Sequence, residues 1–159
     1  MMTIRRILVP IDFSEPSLKT LDEAVEFRRP YDAELILMFA VERSFNQSPL
    51  LVPDSGALLE QQARAAEAKL EEICGGLGKR GVKCRTLVDF GVPYQAIVYA
   101  AKKIKASLII MSTHGRTGLA HVLIGSVAER VLQHAECPIL LFRRLPAPEQ
   151  RGRRGNRKA

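Results

Sequence analysis

The stretch from Ser112 to Ser126, which reads STHGRTGLAHVLIGS, is the part of the sequence best suited to chemistry. Gly115 and Gly118 let the backbone approach a ligand closely and adopt positive φ. Gly125 and Ser126 open a predicted helix, whose N-terminal N–H groups and dipole favour an anion. Polar side chains in the stretch offer further phosphate contacts: Thr113, Arg116, Thr117 and the hydroxyl of Ser126. The pattern indicates a phosphate cradle, and the alternative is a tight strand-to-helix turn capped by Ser126.

The standard phosphate-binding motifs do not match. A P-loop requires G-x-x-x-x-G-K-[ST]. The sequence has a Gly-Lys pair at 78–79, but Ile73 stands at the first glycine position and Arg80 at the hydroxyl position. A dinucleotide fingerprint requires glycines after the first strand. The residues there are PIDFS, from Pro10 to Ser14.

Asp12 follows the first predicted strand, where a carboxylate can accept hydrogen bonds from ribose hydroxyls or help to hold a metal ion with phosphates. The alternative role is to cap the next helix together with Ser14. His114 lies in the cradle and could contact a ligand. The spacing of His, Ser, Cys and acidic residues does not suggest a catalytic triad or a general base with a clear partner. The sequence therefore does not indicate a dedicated hydrolytic enzyme.

Short apolar runs and helical periodicity alternate along the chain. Five runs predict strands: 4–10, 34–41, 82–90, 108–111 and 139–142. Helices are predicted from about Ser14 to Arg28, over 57–77, from the 91–93 turn to Lys105, and over 125–134. Loops are predicted over 43–56 and 112–118.

This order predicts one α/β domain with a doubly wound, five-stranded parallel sheet and helices on both faces. Ligands in such sheets bind beyond the carboxyl ends of the strands, at the topological switch point. The segment after the first strand and the loop after the fourth are expected to meet there.

The net charge of +7 is concentrated at one end of the chain of 159 residues. Residues 143–159 hold seven of the 24 basic side chains and one of the 17 acidic ones, so they carry +6 and residues 1–142 carry +1. The segment 144–159 has one large apolar residue, Leu145, and is predicted to be a disordered tail. It could bind nucleic acid through phosphate contacts, or serve only as a solvated terminus.

Signals for export and membrane insertion are not found in the sequence, and we expect a cytoplasmic protein that does not span a membrane. The three cysteines, Cys74, Cys84 and Cys137, are odd in number and lack CxxC spacing. They predict neither a disulfide framework nor a zinc site, and we expect each to pack as a small apolar side chain.

Four segments resemble the universal stress protein family: ILVPIDFS at 7–14, GVP at 91–93, LIIMSTHGRTGL at 108–119 and GSVAERVLQHAECPILL at 125–141. The resemblance covers about residues 3–143. The ATP-binding branch of that family is marked by G-x2-G-x9-G-[ST]. Gly115, Gly125 and Ser126 match this pattern, and Ser112 replaces the first glycine. The resemblance implies a Rossmann-like sheet of the adenine nucleotide alpha hydrolase type, with strand order 3-2-1-4-5.

The resemblance also implies a nucleotide site that binds ATP, with Mg²⁺ or Mn²⁺ as an accompanying ion near Asp12. Pro10 and Ile11 would line the base, Asp12 would meet the ribose or adenine, and Ala40 or Val41 would pack on adenine. Because Phe39 stands where the family usually has His, the alignment of Ala40 and Val41 is open by one residue. The remaining residues implied to surround ribose and phosphates are Met111, Ser112, Thr113, His114, Gly115, Arg116, Thr117, Gly118, Gly125, Ser126 and Val127.

The function implied is a nucleotide-binding stress or regulatory protein that senses or sequesters ATP with slow or no turnover. Two alternatives stay open: a metal-dependent ATPase or nucleotidyl-transfer enzyme that uses Asp12, and an interaction protein with no nucleotide. Members of the family are commonly homodimers that pair through the final strand, here 139–142.

Overall fold

Consecutive residues of the first strand are completely buried: Ile7, Leu8 and Val9 have no exposed surface. Because successive side chains of a strand point to opposite faces, both faces of the sheet must be covered. The computed structural model describes residues 3–42, 55–113 and 124–143. Residues 43–54 of the first predicted loop, residues 114–123 of the cradle and the basic tail 144–159 lie outside these ranges.

The described chain alternates strands and helices as the sequence predicts. The strands are β1 (Arg6–Pro10), β2 (Glu34–Val41), β3 (Cys84–Phe90), β4 (Leu108–Ser112) and β5 (Ile139–Phe142). The helices are α1 (Glu15–Phe27), α2 (Ser55–Lys79), α3 (Pro93–Lys103) and α4 (Ser126–His134), with a short 3-10 turn at Arg29–Tyr31.

All strand pairs are parallel, and the strand order is β3-β2-β1-β4-β5. The predicted fold class and strand order are therefore confirmed. β1 lies between β2 and β4, so the winding of the chain reverses between β1 and β4. This is the switch point at which a crevice opens in sheets of this type.

Two apolar clusters cover the two faces of the sheet. On one face, α1 and α2 pack through Leu21, Val25 and Leu70. On the other face, α3 and α4 pack through Ile97, Ala100 and Val131. Burial of such side chains supplies about 1.5–3 kcal/mol each, so the two layers hold the sheet and its loops in place.

Local sequence features determine where α1 begins and where α2 ends. The Ser14 hydroxyl oxygen caps α1 by accepting a hydrogen bond from the Ser17 N–H, as the sequence predicts. Gly75 and Gly76, predicted at a fraying end, lie inside α2, which continues to Lys79. The chain then turns at Gly81, whose φ of +76° favours glycine.

No helix in the described ranges combines the length and the apolar character that crossing a bilayer requires.

The expectation for the cysteines is wrong at two positions, because Cys74 and Cys84 form a disulfide. The turn at Gly81 brings the first residue of β3 back beside the last turns of α2, and this contact depends on tertiary packing. A spacing of ten residues matches no motif, so the sequence alone did not signal the bond. Cys137 is a free, partly buried thiol, and burial raises its pKa.

We expect the Cys84→Ser variant to lose roughly 2–3 kcal/mol of unfolding free energy relative to the oxidised wild type. The disulfide closes a short loop and removes the corresponding entropy from the unfolded chain. Urea unfolding followed by circular dichroism would measure the loss, and a reductant should lower wild-type stability by a similar amount. Alkylation after unfolding should label one thiol without reductant and three with it. A reductant effect that persists in Cys84→Ser would contradict this assignment.

Candidate functional site

A cavity of about 430 Å³ opens at the carboxyl ends of β1, β2 and β4, where the switch point lies. Its volume falls in the range of small-molecule sites. The described residues that line it are Pro10, Ile11, Asp12, Ser17, Met38, Phe39, Ala40, Glu42, Val92, Pro93, Tyr94, Ile97, Met111, Ser112, Thr113, Gly125, Ser126, Val127, Ala128 and Arg130.

The Asp12 carboxylate bonds to the residue that caps α1 and lines the cavity, and its contact with a ligand stays a prediction. One carboxylate oxygen, Oδ1, accepts hydrogen bonds from the N–H (3.0 Å) and the hydroxyl of Ser14. The Asp12 N–H donates to the hydroxyl of Ser17 over 3.4 Å. The carboxylate therefore helps to cap α1 and also lines the cavity, in a fixed orientation. Such an orientation suits a group that receives hydrogen bonds from ligand hydroxyls.

Phe13 makes the turn that places Asp12 at the cavity. Its φ is +62°, a left-handed conformation that is costly for a residue with a side chain. The ring packs against Phe39 with centroids 5.3 Å apart, and the Lys69 ammonium lies 5.2 Å from the ring centroid. These contacts offset part of the cost of the backbone conformation, because the ring gains an apolar and a cationic neighbour.

The far side of the cavity is formed by the end of β4 and the start of α4. Thr113 is buried, its N–H donates to the Phe142 carbonyl (3.0 Å), and its carbonyl accepts from the Gly125 N–H (2.7 Å). Gly125 is the N-cap of α4, with φ −71° and ψ 155°. The first N–H groups of a helix have no partner within the helix, and here they are at the cavity. The sequence predicted Ser126 as the cap of this helix. The N-cap is instead Gly125, since Ser126 is the first helical residue.

Charge is distributed unevenly around the cavity. The acidic lining residues, Asp12 and Glu42, follow β1 and β2. Within the described ranges, Arg130 is the one basic lining residue, and it lies on α4 between β4 and β5. With the helix N-terminus on the same side as Arg130, the cavity has an acidic half and a half that favours anions.

The structure brings most of the predicted residues together. The cavity lining includes Pro10, Ile11, Asp12, Ala40, Met111, Ser112, Thr113, Gly125, Ser126 and Val127. Val41 is buried and is not part of the lining. Of the two residues predicted to pack on adenine, Ala40 is the one at the cavity, and its contact with a base stays a prediction. His114, Gly115, Arg116, Thr117 and Gly118 lie outside the described residues.

Several lining residues were missed by sequence reasoning: Ser17, Met38, Phe39, Glu42, Val92, Pro93, Tyr94, Ile97, Ala128 and Arg130. Two signals could have found some of them. The N-terminus of α3 must lie at the carboxyl edge of the sheet, because α3 follows β3 directly. Arg130 lies four residues after Ser126, on the same face of α4.

Clusters of three or more His, Cys, Asp or Glu side chains are not found in the described part of the chain. Asp12 was the predicted ligand, and its Oδ1 is already bonded to Ser14. A cation near Asp12 would therefore need most of its ligands from the bound molecule and water.

The sequence and the fold of this chain are both similar to those of known proteins. Residues 3–143 match the Universal stress protein family. Universal stress protein MJ0531 of Methanocaldococcus jannaschii is 35% identical over 147 residues, which cover 88% of this chain and 82% of that protein. The solved structure of MJ0577, from the same organism, has a TM-score of 0.80 at 28% identity and covers 92% of this chain and 100% of its own. A universal stress protein solved in complex with cAMP has a TM-score of 0.64 at 24% identity, with 88% and 97% covered, and shows the shared fold.

We expect the Phe13→Gly variant to be more stable than Phe13→Ala by about 0.5–1 kcal/mol. Both substitutions remove the ring, but only glycine adopts φ near +62° without steric cost. At most positions the glycine variant is less stable than the alanine variant, because glycine raises the entropy of the unfolded chain. The expected order of stability at position 13 is therefore the reverse of the usual one. Urea unfolding of the two variants would measure the difference. Equal stabilities would show that the chain abandons the left-handed turn once the ring is gone.

Proposed function

The chain belongs to the universal stress protein family, and from that premise we propose that it binds an adenine nucleotide, ATP foremost, in the cavity between β1 and β4. In this proposal it acts in the cytoplasm as a stress-response or regulatory protein that senses or sequesters the nucleotide. The observation that carries the proposal is the division of the cavity into an acidic half and a half that favours anions.

A nucleotide has the matching division of chemistry. Its base and ribose are uncharged and rich in hydrogen-bond donors, which suits Asp12 and the apolar surface of Ile11 and Ala40. Its phosphates are anionic and suit the N-terminus of α4 at Gly125 and Ser126. The relative solved with cAMP holds a ligand of this chemical class. Because its identity to this chain is only 24%, the assignment depends mainly on the cavity described above.

We further propose that binding proceeds with slow or no turnover. Asp12 is the carboxylate that a hydrolase would use, and its Oδ1 already accepts two hydrogen bonds from Ser14. A carboxylate held in this way orients ribose better than it activates water. Fast, Mg²⁺-dependent release of ADP that Asp12→Ala abolishes would favour the alternative of an ATPase. Purified protein that neither carries a nucleotide nor binds added ATP would favour an interaction protein with an empty cavity.

The phosphate end can be tested at Gly125, whose φ and ψ any residue can adopt. Aspartate and asparagine are nearly isosteric and are both good N-caps, so each should preserve or slightly raise the stability of α4. We expect Gly125→Asp to weaken ATP binding by more than about tenfold, because a carboxylate would face the phosphates. Titration calorimetry at fixed ionic strength would measure both variants.

Gly125→Asn is the matched control, since it adds nearly the same volume without the charge. It should bind ATP clearly more tightly than Gly125→Asp, and adenosine should distinguish the two variants much less. If the two variants lose ATP affinity equally, phosphates do not lie at the N-terminus of α4. Wild-type protein that binds no adenine nucleotide at all would refute the proposed function itself.

We also propose that two copies pair through β5. This strand lies at the edge of the sheet and is apolar, and its side chains are only partly buried. The carbonyls of Pro138 and Phe142 accept hydrogen bonds of 3.0 Å from the β4 side. Because backbone groups alternate in direction along a strand, the N–H of Leu141 faces the open edge. An unpaired edge of this kind can continue a sheet into a second copy.

We expect Leu141→Pro to be monomeric and Leu141→Ala to remain dimeric. Both substitutions truncate the same apolar side chain, but only proline removes the outward N–H, and proline is tolerated on an edge strand. Light scattering coupled to size-exclusion chromatography would give the mass of each variant, and circular dichroism would check that both are folded. A dimeric, folded Leu141→Pro variant would exclude pairing through this edge.

A further inference from the structure

A stack of side chains joins α3 and α4 at the rim of the cavity. Tyr94 is the second residue of α3, and the guanidinium carbon of Arg130 lies 5.2 Å from the centroid of its ring. The ring of His134 lies 5.4 Å from the Tyr94 ring, tilted by 48°. Tyr94 and Arg130 line the cavity, and His134 supports the stack behind them.

Hydrogen bonds hold the members of this stack in place. The His134 Nδ1–H donates to the Arg130 carbonyl over 2.7 Å, one turn earlier on α4. The side-chain amide of Gln95 donates to the Tyr94 hydroxyl over 3.2 Å. A guanidinium that stacks through its face keeps its N–H groups available in its own plane. The hydrogen bonds orient His134 and Tyr94, and Arg130 lies over the Tyr94 ring with its N–H groups able to bind an anion.

Arg130 also lies on the correct side of the cavity for such an anion. It stands one helical turn after Ser126, and both residues line the cavity. Side chains of an α-helix lean toward its N-terminus, which here is the anion-favouring end. Among the lining residues of the described ranges, the two carboxylates outnumber this single base. Without Arg130, the charged side chains among the described lining residues would all be acidic and would oppose a ligand with several negative charges.

We propose that Arg130, held on the ring of Tyr94, makes this cavity prefer nucleotides with two or three phosphate groups over the monophosphate and the nucleoside. Arg130 is the specificity-determining charge, and Tyr94 is a positioning residue that orients it. The inference rests on the proposed function, since it assigns the phosphate end of the same ligand. It adds a side-chain charge to the backbone N–H groups at the start of α4.

Calorimetric titration of the full chain with adenosine, AMP, ADP and ATP tests the proposal. The wild-type affinity should rise along this series. We expect Arg130→Gln to weaken ATP binding about tenfold, the effect of losing one charge-assisted contact, and to leave adenosine within about twofold. The matched control is Arg64→Gln, which makes the same charge change on the exposed face of α2, where Arg64 pairs with Glu60. This control should retain the full rise along the series.

The role of Tyr94 has its own readout. Tyr94→Leu removes the ring beneath the guanidinium and should weaken ATP binding about threefold, with a loss that grows with the number of phosphates. Tyr94→Phe keeps the ring and should recover most of that loss. If Tyr94 had a purely structural role, Tyr94→Leu would weaken the binding of adenosine and of ATP by the same factor.

Two outcomes would overturn the inference and leave the proposed function standing: Arg130→Gln binds ATP as tightly as the wild type, or it loses adenosine and ATP equally. Wild-type protein that binds none of the four compounds would overturn both the inference and the function on which it rests. The two failures are therefore distinguishable in a single set of titrations.

Discussion

Burial of both faces of a parallel sheet is the constraint on which the rest of this structure depends. With β1 fully buried on each side, helices must cover both faces, and every strand must be followed by a segment that leaves the sheet at its carboxyl edge. The segments after β1, β2, β3 and β4 therefore all begin at one edge. Polar and conformationally unusual residues collect there, because the apolar sequence of the strands has ended and the helices have barely begun.

The reversal between β1 and β4 turns this crowded edge into a cavity. The chain leaves β1 through Asp12 and the left-handed Phe13, and the Phe39 and Lys69 contacts hold that turn. On the other side, Thr113 connects β5 to the first turn of α4 through two backbone hydrogen bonds. Within the described residues, both walls are thus held by the packing layers and by backbone hydrogen bonds. Restraints of this kind reduce the conformational entropy that a site loses on binding.

The fold could be predicted from the sequence because its signals are local and agree with one another. Five apolar runs, the Ser14 cap and the alternation with helices determine a doubly wound sheet, and part of the site follows from the rule that ligands bind at the switch point. The signals that failed depend on contacts between distant elements. The Cys74–Cys84 bond requires the turn at Gly81 and the packing of α2 on β3, which no spacing of two cysteines reveals.

The same reason explains why the contact between Tyr94 and Arg130 could not be predicted from the sequence. Tyr94 lies outside the segments that carry the family resemblance, and Arg130, which lies within the segment 125–141, is 36 positions away. Their stack exists only because α3 and α4 cover the same face of the sheet. The overall charge of +7 does not indicate a basic side chain at the cavity, since residues 1–142 carry only +1. At the range over which a phosphate is recognised, a single oriented guanidinium beside two carboxylates matters more than the total. The ligand preference proposed for this cavity accordingly depends on where charges lie within residues 1–142 and not on their sum.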